Sequence, residues 1–135
     1  SLNFCKKINE QIKSQILSKL LELCIDYIYN HIHYRITIKE LAEYLNLSPS
    51  YLSKLFHKEM GLPVSQYITD LKIEKAKNLL RYSAYRIVDI AAYLSFSSQS
   101  HFIHVFQKRT GLTPHKYQAK YFRSKWELNS ESAPE

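Results

Sequence analysis

Glycine is nearly absent from this chain. Two glycines and four prolines in 135 residues leave few of the turns that a many-stranded sheet needs. Ile, Leu, Lys and Glu recur instead at helical spacing, so an all-α fold is expected. Cysteine is scarce too: Cys5 and Cys24 form no CxxC pair, which argues against a disulfide framework and fits a reducing compartment. No run approaches the roughly 18 consecutive apolar residues of a membrane-spanning helix, and no charged-apolar-small leader opens the chain. It begins at Ser1 rather than Met, so the chain reads as a fragment or a processed form, which leaves room for an upstream domain outside it. There is no glycine-rich phosphate loop, nucleophile elbow or paired-carboxylate motif, so neither catalysis nor a cofactor is expected.

What the chain does have is apolar content and basic charge. With 45% hydrophobic residues it can bury one or two real cores. The net charge of +7 is uneven: +1 on residues 1–33, +8 on 34–124 and −2 on 125–135. A localised basic excess suits a polyanion, either nucleic acid or anionic lipid, because neutralised phosphates release counterions. A merely solvated surface is the alternative, and charge alone leaves both open.

Residues 7–33 contain no Gly or Pro and place Ile8, Ile12, Ile16, Leu20, Cys24, Ile28 and Ile32 four residues apart. This predicts an amphipathic N-terminal helix. A strict four-residue step drifts around the helix, so one straight coiled coil over the whole length is not expected. The first half suits a second chain or an upstream domain; Tyr27, Ile28 and Ile32 suit packing on the next part of the chain. From Thr37 short helices begin. Thr37 with Glu40 reads as a capping box, Ser48-Pro49 as an N-cap followed by Pro at the first helical position, and Gly61 with Pro63 as a stop. Val64 to Tyr82 then reads as one helix of about 19 residues, ~28 Å long.

An internal repeat comes next. At a shift of 49, Ile38, Ala42, Tyr44, Leu45 and Ser48 fall on Ile87, Ala91, Tyr93, Leu94 and Ser97. At a shift of 50, Phe56, Lys58, Gly61, Leu62 and Tyr67 fall on Phe106, Lys108, Gly111, Leu112 and Tyr117. Each copy holds a short helix (Ile38 to Leu45; Ile87 to Leu94), a turn (Asn46-Leu47; Ser95-Phe96-Ser97) and a longer helix (Pro49 to Met60; Ser98 to Thr110), which is helix-turn-helix spacing. Leu52, Leu55 and Phe56, and again Phe102, Val105 and Phe106, form the inward faces. Ser50, Tyr51, Ser53, Lys54, His57 and Lys58 face outward in one copy, and Gln99, Ser100, His101, His104, Gln107 and Lys108 in the other. Polar faces of this kind, with Glu59 the one carboxylate, can meet base edges or phosphates. Helical hairpins that bind no DNA have polar faces too, but a matched pair in the basic segment, joined by a helix close to one DNA turn in length, favours two successive major-groove contacts.

The stretch Arg86 to Phe122, RIVDIAAYLSFSSQSHFIHVFQKRTGLTPHKYQAKYF, resembles the C-terminal signature of the AraC/XylS family of bacterial transcription regulators. The likeness extends back through ITIKELAEYLNLSPSYLSKLFHKEMGLPVSQYI, covers roughly Cys24 to Phe122, and is carried by Ile87, Ile90, Ala91, Phe96, Phe102, Phe106, Gly111, Thr113, Pro114 and Tyr117. It implies two helix-turn-helix subdomains joined by a long central helix, bound to one face of the duplex. The expected division is a linker or dimerisation helix (1–23), a first subdomain (24–63), a connecting helix (64–82), a second subdomain (83–123) and a disordered acidic tail (124–135).

Carried over by position, the resemblance puts base reading on Ser50 and Lys54 and on Ser100 and His104, with Gln99 a further candidate. Phosphate contacts are expected from Ser48, Tyr51, Lys58, Ser98, Lys108 and Arg109. The sequence departs from the family at Ser95, where Gly is usual: Ser must accept a strained positive φ or use a different turn. Asn46, at the equivalent position of the first copy, tolerates that conformation. The first copy is therefore expected to read sequence and the second to contribute more through phosphates. The implied partners are promoter duplex DNA, RNA polymerase for an activator, and a second copy through the N-terminal helix or an upstream domain, in the cytoplasm on the nucleoid.

His31-x-His33 and His101-x-x-His104 lack a third ligand nearby, so no metal site is expected. Tyr44, Tyr67, Tyr93 and Tyr117, which repeat at equivalent positions, read as core residues with a polar tip rather than stacking platforms for single-stranded bases. The competing functional reading is an interaction module in which residues 1–33 supply a partner helix and the basic charge is incidental.

Overall fold

Seven helices and no strand make up the described part of the chain, residues 2–123 of a computed structural model. The expectations for the tail fall on 124–135, outside these residues. The helices are α1 (Leu2–Asn30), α2 (Ile38–Leu45), α3 (Pro49–Met60), α4 (Val64–Tyr82), α5 (Ile87–Tyr93), α6 (Gln99–Thr110) and α7 (Pro114–Tyr121). The architecture is all-α, as the periodicity predicts.

The chain forms two compact units. One joins the N-terminal helix, through His31, with Ile36–Gln66; among the described residues the other joins Ile32–Arg35 with Tyr67 to Arg123.

In the first unit, α2 packs on α1 and on α3. Cys24 and Ile28 of α1, Leu41, Ala42 and Leu45 of α2, and Leu52, Leu55 and Phe56 of α3 are buried. Burial pushes the Cys24 thiol up to about 11. Thr37 caps α2 as a full capping box: its hydroxyl accepts from the Glu40 amide at 3.1 Å, and Glu40 Oε1 accepts from the Thr37 amide at 3.1 Å. The other oxygen of Glu40 accepts from the Tyr27 hydroxyl at 2.7 Å, which raises that phenol's pKa, so one carboxylate both starts α2 and holds α1. Ser48 caps α3, and Gly61 ends it at φ +79°.

The N-terminal helix differs from its expectation at both ends. It begins by Leu2 and stops at Asn30 instead of running to His33. His31 still donates to the Tyr27 carbonyl, but the next four residues leave the helix and join the second unit. That carbonyl can only accept, so Nδ1 of His31, 2.8 Å from it, carries the proton. Only the second half of the apolar stripe is buried: Ile8, Ile12 and Ile16 are 39, 49 and 55% exposed.

The second unit repeats the hairpin. Ile73, Ala76 and Leu80 of α4, Ile87, Ile90 and Ala91 of α5 with Leu94 just after it, Phe102 and Phe106 of α6, and Tyr117 of α7 form one core. Phe106 meets Phe102 and Tyr117 edge-on, with centroids 5.7 and 5.3 Å away. Val105, expected inward, is half-buried beside this core, as is Ile103. Gly111 ends α6 at φ +83°, and Thr113 caps α7.

The equivalence of Tyr44 and Tyr93 has a different meaning from core burial. They are 54 and 52% exposed, whereas Tyr117 is buried and Tyr67 half-buried. Tyr44 leans on Tyr27 with centroids 4.7 Å apart, and Tyr93 leans on His33 at 4.2 Å. Tyr44 covers the flank of α2 against α1, and Tyr93 covers the flank of α5 against the segment between α1 and α2. What repeats is this lateral support.

Candidate nucleic-acid interface

In the first unit, α3 buries Leu52, Leu55 and Phe56 and leaves the rest of its surface to solvent. Ser50, Tyr51, Ser53, Lys54, His57 and Lys58 are all exposed. Ser50, Lys54 and Lys58 succeed one another at four-residue steps, so they lie along one side of the helix. The hydroxyl oxygen of Ser48 accepts from the Tyr51 amide at 3.2 Å, which leaves its proton free to be donated. No acid stands in the first turn of α3, so no carboxylate there offsets the positive end of the helix dipole.

The second unit presents α6 in the same way. Gln99, Ser100, His101, His104, Gln107 and Lys108 are exposed, with Ser100, His104 and Lys108 in four-residue steps. Ser98 caps the helix by accepting from the His101 amide at 3.0 Å, and here too the first turn holds no acid. Arg109 is the exception among the expected phosphate contacts: its guanidinium is 2.8 Å from the Asp70 carboxylate on α4. A phosphate would have to compete for it.

The turns decide whether the two copies are equivalent. Asn46 and Ser95 have φ +57° and +56°, the two non-glycine residues with positive φ in the described chain. Their hydrogen bonds also match: Asn46 donates to Glu43 and Leu47 to Ala42, as Ser95 donates to Ala92 and Phe96 to Ala91. Ser95 thus accepts the strained conformation rather than a different turn. The change of shift from 49 to 50 lies after Phe96, since Ser98, not Ser97, takes the capping role of Ser48.

One residue at this turn escapes the pattern of polar faces. Lys72 lies in α4 between Ile68 and Ala76, on the stripe of four-residue steps that enters the core, and it is 7% exposed. Its Nζ donates to the carbonyls of Leu94 and Tyr34 at 2.6 and 3.0 Å and stands 5.9 Å from the Phe96 ring centre. Burial lowers its pKa. A lysine inside an apolar stripe was the visible signal for it. Among the described residues, no group of three His, Cys, Asp or Glu is placed to hold a metal ion, and no helix is long and apolar enough to cross a membrane.

A family model described as a helix-turn-helix domain matches residues 41–120, both hairpins together. The chain belongs to the AraC/XylS family. YobQ of Bacillus subtilis, described as an uncharacterized HTH-type transcriptional regulator, is 36% identical over 101 residues, 75% of this chain and 42% of YobQ. The C-terminal domain of AraT, described as a response regulator from Geobacillus stearothermophilus, has a TM-score of 0.78 at 31% identity, over 82% of this chain and 92% of that one. The DNA-binding domain of AdpA, solved in complex with a target DNA, shares the fold with a TM-score of 0.71 at 24% identity, over 76% of this chain and 91% of that one. This AraC/XylS chain spans 42, 14 and 38% of three curated relatives, less than half of each.

Proposed function

We propose that this domain binds duplex DNA in a sequence-specific manner as part of a bacterial transcription regulator, an activator in the reading developed from its sequence. The observation that carries the proposal is the duplicated stripe: Ser50, Lys54 and Lys58 on α3, and Ser100, His104 and Lys108 on α6, all exposed on capped helices with no acid in the first turn. The crystallised complex of AdpA with DNA supports the same use of this fold. In this reading α3 and α6 enter adjacent major-groove segments. Lys54 donates to guanine O6 or N7, while Ser50, Gln99, Ser100 and His104 take the remaining base edges. Ser48, Tyr51, Lys58, Ser98 and Lys108 hold phosphates, and Arg109 joins them where it releases Asp70. The matched turns support similar entry of both helices. Lysine on α3 against serine and histidine on α6 keeps sequence reading weighted toward the first. Contact with RNA polymerase and action on the nucleoid belong to this proposal for the whole protein.

Selection from a random duplex library tests it. Enrichment of a motif with two half-sites about one turn apart, bound at least ~10³-fold more tightly than random duplex, is the expected result. Equal affinity for every duplex over a salt series would sink the proposal.

A second role attaches to residues 1–23. Exposure of Ile8, Ile12 and Ile16 along α1 supports pairing with a second copy or an upstream domain.

A further inference from the structure

The second hairpin turn should not hold itself as well as the first. Asn46 adopts φ +57° with little penalty, whereas Ser95 at φ +56° lacks the side-chain amide that makes the left-handed region tolerable. The surroundings of Ser95 compensate. Its hydroxyl donates to the carbonyl of His33. One residue earlier, the Leu94 carbonyl accepts from Lys72, which also holds the Tyr34 carbonyl. One residue earlier again, Tyr93 lies on the His33 ring and its hydroxyl meets His33 Nε2 at 3.2 Å. Three successive residues are therefore gripped by one short segment, 33–34, with Lys72 as the tie common to segment and turn. Just beyond, Phe96 lies between the Lys72 ammonium and Phe102, 5.0 Å from the latter ring, at the first turns of α6.

We infer that Lys72 is a positioning residue for the second recognition helix, its ammonium clamping the strained turn before α6 to the 33–34 segment. The inference rests on the DNA-binding reading above and adds a residue that touches no DNA. Burial disfavours the ammonium, and the two carbonyls that accept from it offset that cost; methionine keeps the length of the side chain and removes the charge. What an apolar residue cannot do is hold two carbonyls at once.

The test uses the full chain, with Lys72→Met, Lys72→Arg and the double variant Lys72→Met with Ser95→Gly. In the free protein, hydrogen exchange at the amides of residues 95–102 should rise about tenfold in Lys72→Met, while α2 and α3 keep their protection. On the selected duplex, the segment whose footprint weakens in Lys108→Ala should lose protection in Lys72→Met as well, and the segment governed by Lys58 should not. Arginine should restore both readouts. Glycine at 95 should restore them in the double variant, because it takes positive φ unaided. Unchanged exchange at 95–102 overturns the clamp. Loss of protection throughout the protein, with both footprints fading together and no rescue by Ser95→Gly, reduces Lys72 to general stability and overturns it too. Absence of duplex preference in the unsubstituted protein sinks the DNA-binding reading, and the exchange measurement still decides the clamp.

Discussion

Lys54 and Lys58 stand one helical turn apart on α3, and their proposed roles predict opposite signatures. Lys54→Ala should relax preference at one or two base pairs, a loss of about 1–3 kcal/mol at those positions only. Lys58→Ala should weaken binding to every duplex alike and reduce the slope of log affinity against log salt by about one. Equilibrium titrations on matched and mismatched duplexes at several salt concentrations separate them, and the same response from both variants would contradict the assignment. Most side chains of the candidate interface could be read from the sequence, because an amphipathic helix fixes which residues face outward. Arg109 could not be read so. Its partner, Asp70, lies on another helix, and nothing local announces a pair 39 positions apart.

At the scale of the element, the hairpins are bounded by chemistry that acts over one turn. Thr37, Ser48, Ser98 and Thr113 each cap the helix just after them, and Gly61 and Gly111 end α3 and α6 at φ +79° and +83°. A Cβ built at either glycine meets nothing within 4 Å, so replacement brings conformational strain without collision. Gly61→Ala and Gly111→Ala should therefore each destabilise the chain by a similar ~1–2 kcal/mol, measured by urea unfolding. Markedly unequal losses would mean that one helix end is held by more than its backbone. Such caps are why α2, α3, α6 and α7 lie where their sequences place them. The end of α1 carries no comparable punctuation: residues 31–33 have helical periodicity, yet they lie outside the helix, and Ile32–Arg35 belong to the second unit.

Across the whole molecule, the duplication predicts two cores that answer separately to damage. Phe56 and Phe106 are fully buried equivalents in the first and second units. Each change to Ala should cost about 3–5 kcal/mol locally. Hydrogen exchange should show Phe56→Ala opening α2 and α3, and Phe106→Ala opening α5, α6 and α7. Uniform loss of protection from either substitution would instead indicate one cooperative fold.

The sequence by itself determined the helices, their caps, the repeat and the outward polar stripes, since propensity, capping and periodicity all operate within a few residues along the chain. It also carried the family. Tertiary structure alone decided that half of the α1 stripe stays exposed, that Tyr44 and Tyr93 support flanks, and that the two turns match despite Ser95. These outcomes depend on partners far off in the chain: Lys72 finds its carbonyls 22 and 38 residues away, and the Ser95 hydroxyl finds one 62 residues away. A strained serine and a buried lysine each look unfavourable alone, and they become compatible only when folding brings the same short segment against both.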